Sequence, residues 1–493
     1  MNRQIAAGVG WMMLFKLLDR GLAIVSTLVL ARLLVPADFG LVAMAMSVIA
    51  VADLLTSFSF DVVLIQNKQP TRAHYDTAWT LNFLLSCTCA ALIAVLAFPT
   101  AIFFREPRLF EVMLALAVGW LLSGLENIGI VDFRRVLDFR REFYFLATKR
   151  TLGFGITVTL AIALRSYWAL VIGTLAARAL GVVLSYVMHP FRPRFSVATA
   201  RKLFGFSSWL LVNNLLAVAL DKVSHFMIGK MHGPELLGLY TVGADMARLP
   251  STDLLAPINR VVFPGLSCSG GDLGKMRRTF LDWTAVCALL AVPAAVGLAA
   301  VAGPLVLVLM GEKWIGAVPV VQVLAFVSVV YGVTAITGPA CLALGEPRVI
   351  TALMTLRLLA LAPLTWWLVA REGVLGAAYA ELAAMAVSGS AAVLLVHRRL
   401  QITIREFVGR VWRTLLASGV MAVGVCAFLQ RLPAPTSSLS ALVPLIAAVV
   451  LGVVTYFAAV GLLWYLSGRP DGAERLLLER ALLWWNRGRP RAS

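Results

Sequence analysis

The chain is a succession of apolar segments, most of them twenty or more residues long, separated by short polar turns. About 20 helical residues, rising about 1.5 Å each, cross the ~30 Å hydrocarbon core of a bilayer. Cutting the sequence at proline, glycine and charge clusters gives about fourteen such segments, from residues 10–34 to residues 439–466. Because backbone groups inside a membrane must find their partners within the protein, this pattern predicts an all-α polytopic membrane protein.

Basic residues are distributed unevenly between the two sides of this predicted protein. The net charge of +18 would suit nucleic acid, but the basic residues lie in short clusters between apolar segments, as membrane topology and lipid headgroups require. With the N-terminus in the cytoplasm, 28 of them fall in inner loops and tails and 8 in outer loops. This asymmetry predicts about 14 transmembrane helices with both termini cytoplasmic, and partners among membrane lipids with no nucleic acid.

The sequence shows no pattern typical of a catalytic, cofactor or metal site. The six cysteines lie mostly within or beside apolar segments, without CxxC spacing or a histidine partner, so we expect neither disulfides nor metal ligands. The loops are too short for a soluble domain, and the outer loops carry no cluster of Asp, Glu or His. A cleavable signal peptide is not expected either, because the charges of the first segment fall inside its apolar run.

An internal repeat divides the chain. Aligning Pro36 with Pro234 also aligns Gly40 with Gly238 and Trp11 with Trp209, without a gap. A second match places Arg150 opposite Arg357. Six helices return the chain to its starting side, so the two halves are predicted to run parallel, with the substrate in the cleft between them.

These observations predict five regions. They are an N-terminal six-helix bundle (1–190), a cytoplasmic linker (191–203), a C-terminal six-helix bundle (204–397), an extra helix pair (398–466) and a cytoplasmic interfacial tail (467–493).

Three charges interrupt the apolar run of the first predicted helix. Lys16, Asp19 and Arg20 fall on one helix face, and each charge near a helix centre costs roughly 2.5 to 3.5 kcal/mol on insertion scales. A purely structural ion pair is one interpretation of these charges. Asp19 can neutralise only one of the two cations, however, so the surplus favours an anionic ligand in a wet cavity, with Asp19 holding the geometry.

The second half supplies further candidates for the same cavity. Asn214 lies on the seventh predicted helix, and Asp245 and Arg248 share a face of the eighth. Asn214 could equally form a hydrogen bond between helices, and Asp245 with Arg248 could be a structural pair. Pro250 and Pro257 are predicted to interrupt the eighth helix and permit a bend.

Other charges within the spans have simpler interpretations. Glu126 and Glu381 could carry protons, but satisfied interhelical groups are the more frequent case. Arg178 and Arg357 could snorkel or pair. Asp221, Lys222 and His225 lie towards the outer end of their span, where snorkelling or a local pair is expected.

Three sequence stretches resemble a known family. They are "ARLLVPADFGLVAMA" after the first helix, "MHGPELLGLYTVG" in the second half and "LALGEPRVITALMTLRLLALAP". Together with the two-bundle plan, they resemble the polysaccharide transporters, which are Wzx-type lipid-linked oligosaccharide flippases of the multidrug/oligosaccharidyl-lipid/polysaccharide exporter superfamily. The resemblance covers essentially the whole chain, and the family has no shared catalytic motif.

The resemblance implies a transport function. A flippase of this family moves an undecaprenyl-pyrophosphate-linked repeat unit across the bacterial inner membrane for exopolysaccharide or lipopolysaccharide biosynthesis, beside the polymerase and glycosyltransferases of its pathway. Lys16 and Arg20 would attract the pyrophosphate. The alternatives are a cation-coupled multidrug exporter of the same superfamily, which would favour a carboxylate-rich cavity, and an integral-membrane polysaccharide polymerase or ligase.

Overall fold

The computed structural model of the chain describes residues 2–54, 60, 64–65, 69–200, 208–267, 272–433 and 438–469. Within these ranges the regular structure is helical. In chain order the α-helices are α1 (Asn2–Leu33), α2 (Pro36–Asp53), α3 (Arg72–Phe104), α4 (Arg108–Gly124), α5 (Val131–Arg135), α6 (Phe139–Leu164), α7 (Trp168–Met188), α8 (Ser208–Arg248), α9 (Leu254–Ser267), α10 (Leu273–Leu309), α11 (Val318–Thr334), α12 (Thr337–Ala343), α13 (Pro347–Glu372), α14 (Val374–Leu400), α15 (Ile404–Gln430) and α16 (Ser438–Leu466).

Ten helical segments of the described part are long and apolar enough to cross a membrane. The bent pair Arg108–Gly124 and Ile128–Arg135 would make eleven. The prediction of a multi-pass, all-helical membrane protein is therefore confirmed. The count of fourteen spans and the side of each terminus stay predictions, and residues 470–493 of the predicted interfacial tail lie outside the described residues.

The chain divides into two compact units, Met1–Gly238 and Leu239–Ser493. In the first unit α3 packs on α4, α6 on α7, α1 on α6, and α4 on α7. Small residues permit these close approaches, since a side chain at Gly124 would meet Ser86 of α3 and one at Gly173 would meet Thr157 of α6. The five regions predicted from the sequence stay predictions.

The chain that follows α7 is packed against α3 rather than free of it. The backbone N–H of Arg194 donates to the buried carboxylate of Asp76 at 2.9 Å, and the ring of Phe195 lies 5.2 Å from that of Trp79. A buried carboxylate needs such a donor, because leaving it without one costs several kcal/mol. The beginning of the predicted linker is thus part of the first unit's packed structure.

In the second unit α10 packs against α11, α15 and α16. The hydroxyl of Tyr456 on α16 donates to the carbonyl of Leu289 on α10 at 2.9 Å, and the buried side chains of Met421 and Val425 on α15 join the same apolar cluster. The helices of the predicted extra pair therefore share one core with α10.

Two irregularities interrupt the α8–α9 region. Gly233 has a φ of 79°, which produces a bend just before Pro234, and Leu249–Asp253 forms a π-helical turn containing Pro250. Ser328 of α11 donates to the carbonyl of Ala247 at 2.6 Å beside this turn. The interruption predicted at Pro250 is confirmed. Pro257 does not interrupt the chain, because it lies near the start of α9 and the helix continues past it.

Candidate functional site

The charged stripe of α1 lies beside α6. Lys16 and Arg20 are exposed, and the carboxylate of Asp19 pairs with the guanidinium of Arg150 on α6 at 2.7 Å. The side chains of Asp19 and Arg150 keep 47% and 42% of their surface exposed, respectively. The ring of Trp11 also contacts Phe143 of α6, with 5.0 Å between centroids. Asp19 thus has an interhelical cation as a partner, and the cluster holds three basic groups and one acidic group.

Lys16, Asp19 and Arg20 lie near the middle of α1. Arg20 precedes Leu33, the last residue of α1, by thirteen residues, which is about 20 Å of helix. α1 is not among the ten segments whose length and hydropathy suit a membrane span, so a position of these charges within the hydrocarbon core stays a prediction. Exposed charges at this depth are stable only where they meet water or one another.

The remaining predicted site residues are divided between the two units. Asn214 is half-buried on α8 in the first unit, with Lys16, Asp19 and Arg20. Asp245 and Arg248 belong to the second unit, where both are exposed and three residues apart on α8. That all six line one cavity stays a prediction.

A second polar feature is a cavity of about 460 Å³ inside the first unit. It is lined by the end of α2, by α3, α4, α6 and α7, and by the connection that follows α4. Its central group is Arg178 of α7, whose guanidinium lies 3.6 Å from the ring centroid of Trp120 and donates to the hydroxyl of Ser123 at 2.5 Å. Stacking on Trp120 and this hydrogen bond fix the guanidinium plane in the cavity wall.

Carboxylates complete the cavity wall. Asp53 accepts the indole N–H of Trp120 at 2.6 Å, and Glu126 pairs with Lys149 of α6 at 3.0 Å. Glu126 is thus an interhelical group, as the simpler interpretation predicted. In the second unit Glu381 of α14 pairs with Arg357 of α13, which confirms the same interpretation for that residue.

Sequence reasoning missed this cavity. Asp53 and Trp120 are 67 residues apart, and Arg178 and Ser123 are 55 residues apart. No spacing along the chain predicts such pairs, because they depend on how three helices pack. The available signal was a single arginine, Arg178, within the sixth predicted helix, which the sequence alone leaves free to snorkel or pair.

Repeat-related residues of α2 and α8 meet each other in the first unit. A Cβ at Gly40 would lie 1.6 Å from the carbonyl oxygen of Pro234, and one at Gly238 would lie 1.8 Å from that of Pro36. Both distances are far below van der Waals contact, so these two positions accept only glycine in this packing. We call Pro36, Gly40, Pro234 and Gly238 the clasp.

Neighbouring contacts join α8 to the end of α3. The ammonium of Lys230 on α8 donates to the carbonyl of Phe103 at 2.5 Å, where it also meets the negative end of the α3 dipole. The ring of Phe226 stacks on Phe104 with 5.9 Å between centroids. The clasp is therefore supported by a cation at a helix C-terminus and by aromatic packing.

Comparison with known proteins agrees with this architecture. The sequence profile of the family described as polysaccharide biosynthesis protein matches residues 29–319. The chain is 24% identical over 338 residues to the lipopolysaccharide biosynthesis protein WzxC of Escherichia coli K12, covering 67% of this chain and 68% of that one. It is 26% identical over 329 residues to the succinoglycan biosynthesis transport protein ExoT of Rhizobium meliloti, covering 66% of each.

Among solved structures, the lipid II flippase MurJ in an inward closed conformation matches with a TM-score of 0.73 at 12% identity. The match covers 92% of this chain and 99% of that one, so the two proteins share a fold. The profile match covers more than half of the chain. The chain belongs to the polysaccharide biosynthesis protein family, as a multi-pass membrane transporter and not an enzyme.

Proposed function

We propose that this protein is a flippase that moves undecaprenyl-pyrophosphate-linked oligosaccharide units from the cytoplasmic to the periplasmic leaflet of the bacterial inner membrane. Relatives named for lipopolysaccharide biosynthesis and succinoglycan transport support a saccharide substrate, and the fold shared with a lipid II flippase supports a lipid-linked one. The polymerase and glycosyltransferases of the same pathway would act before and after this step.

The charge cluster of α1 and α6 carries the proposal. Lys16 and Arg20 share one face of α1 with Asp19, whose carboxylate pairs with Arg150 of α6, so basic side chains of two helices lie together here. Phosphate oxygens form strong charge-assisted hydrogen bonds with such groups, and the anion offsets the cost of holding the cations there. Lys16 and Arg20 would contact the pyrophosphate, while Asp19 and Arg150 hold the geometry between the two helices.

The clasp supports alternating access as the mechanism. It lies where α2 begins, directly after the end of α1 that the charge distribution predicts to face outside. Because the helices pack this tightly at one end, the substrate would reach the α1 charges from the other end. That end would face the side where the lipid-linked substrate is made. The polyprenyl tail would stay in lipid during transfer, because moving it through a polar cleft has no energetic benefit.

The double variant Lys16→Gln with Arg20→Gln tests the proposal. In vesicles loaded with lipid-linked oligosaccharide, we expect transfer between leaflets to fall at least about tenfold, the loss expected from about 1.4 kcal/mol of binding. The matched control is Lys313→Gln with Arg431→Gln, which removes the same charges from exposed loop positions. Transfer by a folded α1 double variant at the control's rate would refute the assignment.

Neighbouring genes give an independent test of the pathway. Glycosyltransferases and a polymerase encoded beside this protein would support the proposal. Drug sensitivity of a deletion strain with intact surface polysaccharide would instead favour a multidrug exporter.

A further inference from the structure

We propose that the cavity of the first unit binds the saccharide part of the transported molecule, as a subsite separate from the α1 charges. This inference rests on the proposed flippase function and assigns the two chemical parts of the substrate to two places. The pyrophosphate would meet the α1 cluster, and uncharged sugar rings would enter the cavity.

The charge balance of the cavity separates it from the α1 cluster. Three basic groups line it, Arg134, Lys149 and Arg178, and so do three acidic groups, Asp53, Glu126 and Glu142. Arg134 pairs with Glu142 at 2.5 Å and Lys149 with Glu126 at 3.0 Å. The described lining residues thus carry as many basic as acidic groups, and this balance favours a neutral polar ligand over an anion.

Two uncharged polar side chains face the same space. Asn82 and Ser86 are four residues apart on α3, so they lie on one helix face, and both line the cavity. Within the described ranges the structure gives neither side chain a hydrogen-bond partner. An amide has two donors and a carbonyl acceptor, and a hydroxyl donates and accepts. This is the chemistry that recognises the hydroxyl groups of a sugar.

The size of the cavity suits such a ligand. Its volume of about 460 Å³ falls within the roughly 300–1,000 Å³ typical of small-molecule sites. Its polar groups are held in place by Trp120, which is only 5% exposed and donates its N–H to Asp53. A wall fixed in this way loses little side-chain conformational entropy when it binds a polyhydroxyl group.

The cavity and the α1 cluster lie on neighbouring sides of α6. Lys149 lines the cavity, and the next residue, Arg150, pairs with Asp19 of α1. Consecutive Cα atoms are about 3.8 Å apart, and successive side chains on a helix point about 100° apart. A sugar attached directly to a pyrophosphate has a matching juxtaposition of a neutral and an anionic group.

The test compares two soluble probes on detergent-solubilised protein by calorimetry. One is the repeat-unit oligosaccharide released from the cells' own lipid-linked pool by mild acid, and the other is inorganic pyrophosphate. Asn82→Ala with Ser86→Ala should weaken binding of the oligosaccharide about tenfold, as expected for two lost hydrogen bonds, and leave pyrophosphate binding unchanged. Lys16→Gln with Arg20→Gln should weaken binding of pyrophosphate and leave binding of the oligosaccharide unchanged.

Thr88→Ala is the matched control, because Thr88 is an exposed residue of α3 that bonds only to its own helix, at Leu84. Oligosaccharide binding that is absent from the wild type, or unchanged in the Asn82 and Ser86 variant, would overturn the subsite. Parallel loss of both probes in that variant would overturn it too. Failure of the flippase proposal is distinct, since the wild type would then not move the lipid-linked molecule in vesicles.

Discussion

Arg150 and Arg357 occupy equivalent positions in the repeat, and each has an acidic partner on another helix, but the two pairs differ in their surroundings. Arg150 pairs with Asp19 while both side chains stay more than 40% exposed. Arg357 pairs with Glu381 with only 26% and 15% of their side-chain surfaces exposed. The helices beside them differ as well, since the gap-free alignment places Asn214 opposite Lys16 and Ala217 opposite Asp19.

The difference indicates that the repeat keeps a cation for two different purposes. The Arg357–Glu381 pair is half-buried, so removing one partner leaves a poorly solvated charge, which suits a structural link between α13 and α14. An exposed pair contributes little to stability and keeps its charge available, which suits a site for an anion. The second half has the ion pair as a structural link between two helices, and it carries neutral residues where α1 has its charges.

The largest effect on stability is expected from Arg357→Leu. Removing the cation leaves the half-buried Glu381 carboxylate without its partner, which costs at most about 3 to 5 kcal/mol, the loss for a fully buried pair. Thermal unfolding in detergent should show this loss, and the double variant Arg357→Leu with Glu381→Leu should recover most of it. A single variant as stable as the wild type would remove the contrast between the two pairs.

A smaller loss of stability, equal at Gly40 and Gly238, is expected in the clasp, where the two halves of the repeat are alike. Gly40→Ala and Gly238→Ala each place a Cβ under 2 Å from a backbone oxygen, so both should destabilise the described packing by about 1 to 3 kcal/mol. Gly303→Ala in α10 meets nothing within 4 Å and should be neutral or stabilising. Unequal losses at Gly40 and Gly238 in the same unfolding measurement would show that the contact is not reciprocal.

Arg150→Gln should separate transport from stability. Both partners are well exposed, so the free energy of unfolding should change by less than about 1 kcal/mol. Transfer of lipid-linked oligosaccharide in vesicles should fall about tenfold, because Asp19 is then free to neutralise a neighbouring cation. The charge-swapped variant Asp19→Arg with Arg150→Asp keeps the net charge and should transport better than the single variant. An Arg150 variant that loses stability in proportion to transport would mark this pair as a structural tie like the other.

The mildest effect is expected from Asp19→Asn. The local positive charge rises by one, so binding of inorganic pyrophosphate should strengthen and depend more steeply on salt. Transfer should fall less than in the Lys16 and Arg20 double variant, because both cations remain. Calorimetry over a salt series measures the first effect. Weaker pyrophosphate binding would show that Asp19 holds the cations in position more than it neutralises them.

Several features of the fold were predictable because their causes lie within one segment. Apolar length predicts the membrane helices, and the missing N–H of Pro250 predicts the irregular turn at Leu249–Asp253. The gap-free alignment matched Pro36 with Pro234 and Gly40 with Gly238. In the structure these four residues form one contact, with Gly40 against Pro234 and Gly238 against Pro36.

The partners of the charged residues were not predictable in the same way. A span tolerates a charge only when some partner exists, so Glu126 and Glu381 could be expected to pair. Which helix supplies that partner depends on tertiary packing, and nothing in the sequence near Asp19 indicates Arg150, 131 positions later. Asn82 and Ser86 are ordinary polar residues of a long apolar helix and become noticeable only beside the cavity.

The clasp also constrains how the two halves can diverge. After a duplication, the two copies of a segment normally accumulate substitutions independently. Here Gly40 lies against the backbone of Pro234, and Gly238 lies against the backbone of Pro36, so a side chain gained by either copy collides with main-chain atoms of the other. No change of side chain in the second copy can relieve that collision. Each glycine is therefore constrained by the backbone of the other copy, while the charges of α1 remain free to specialise.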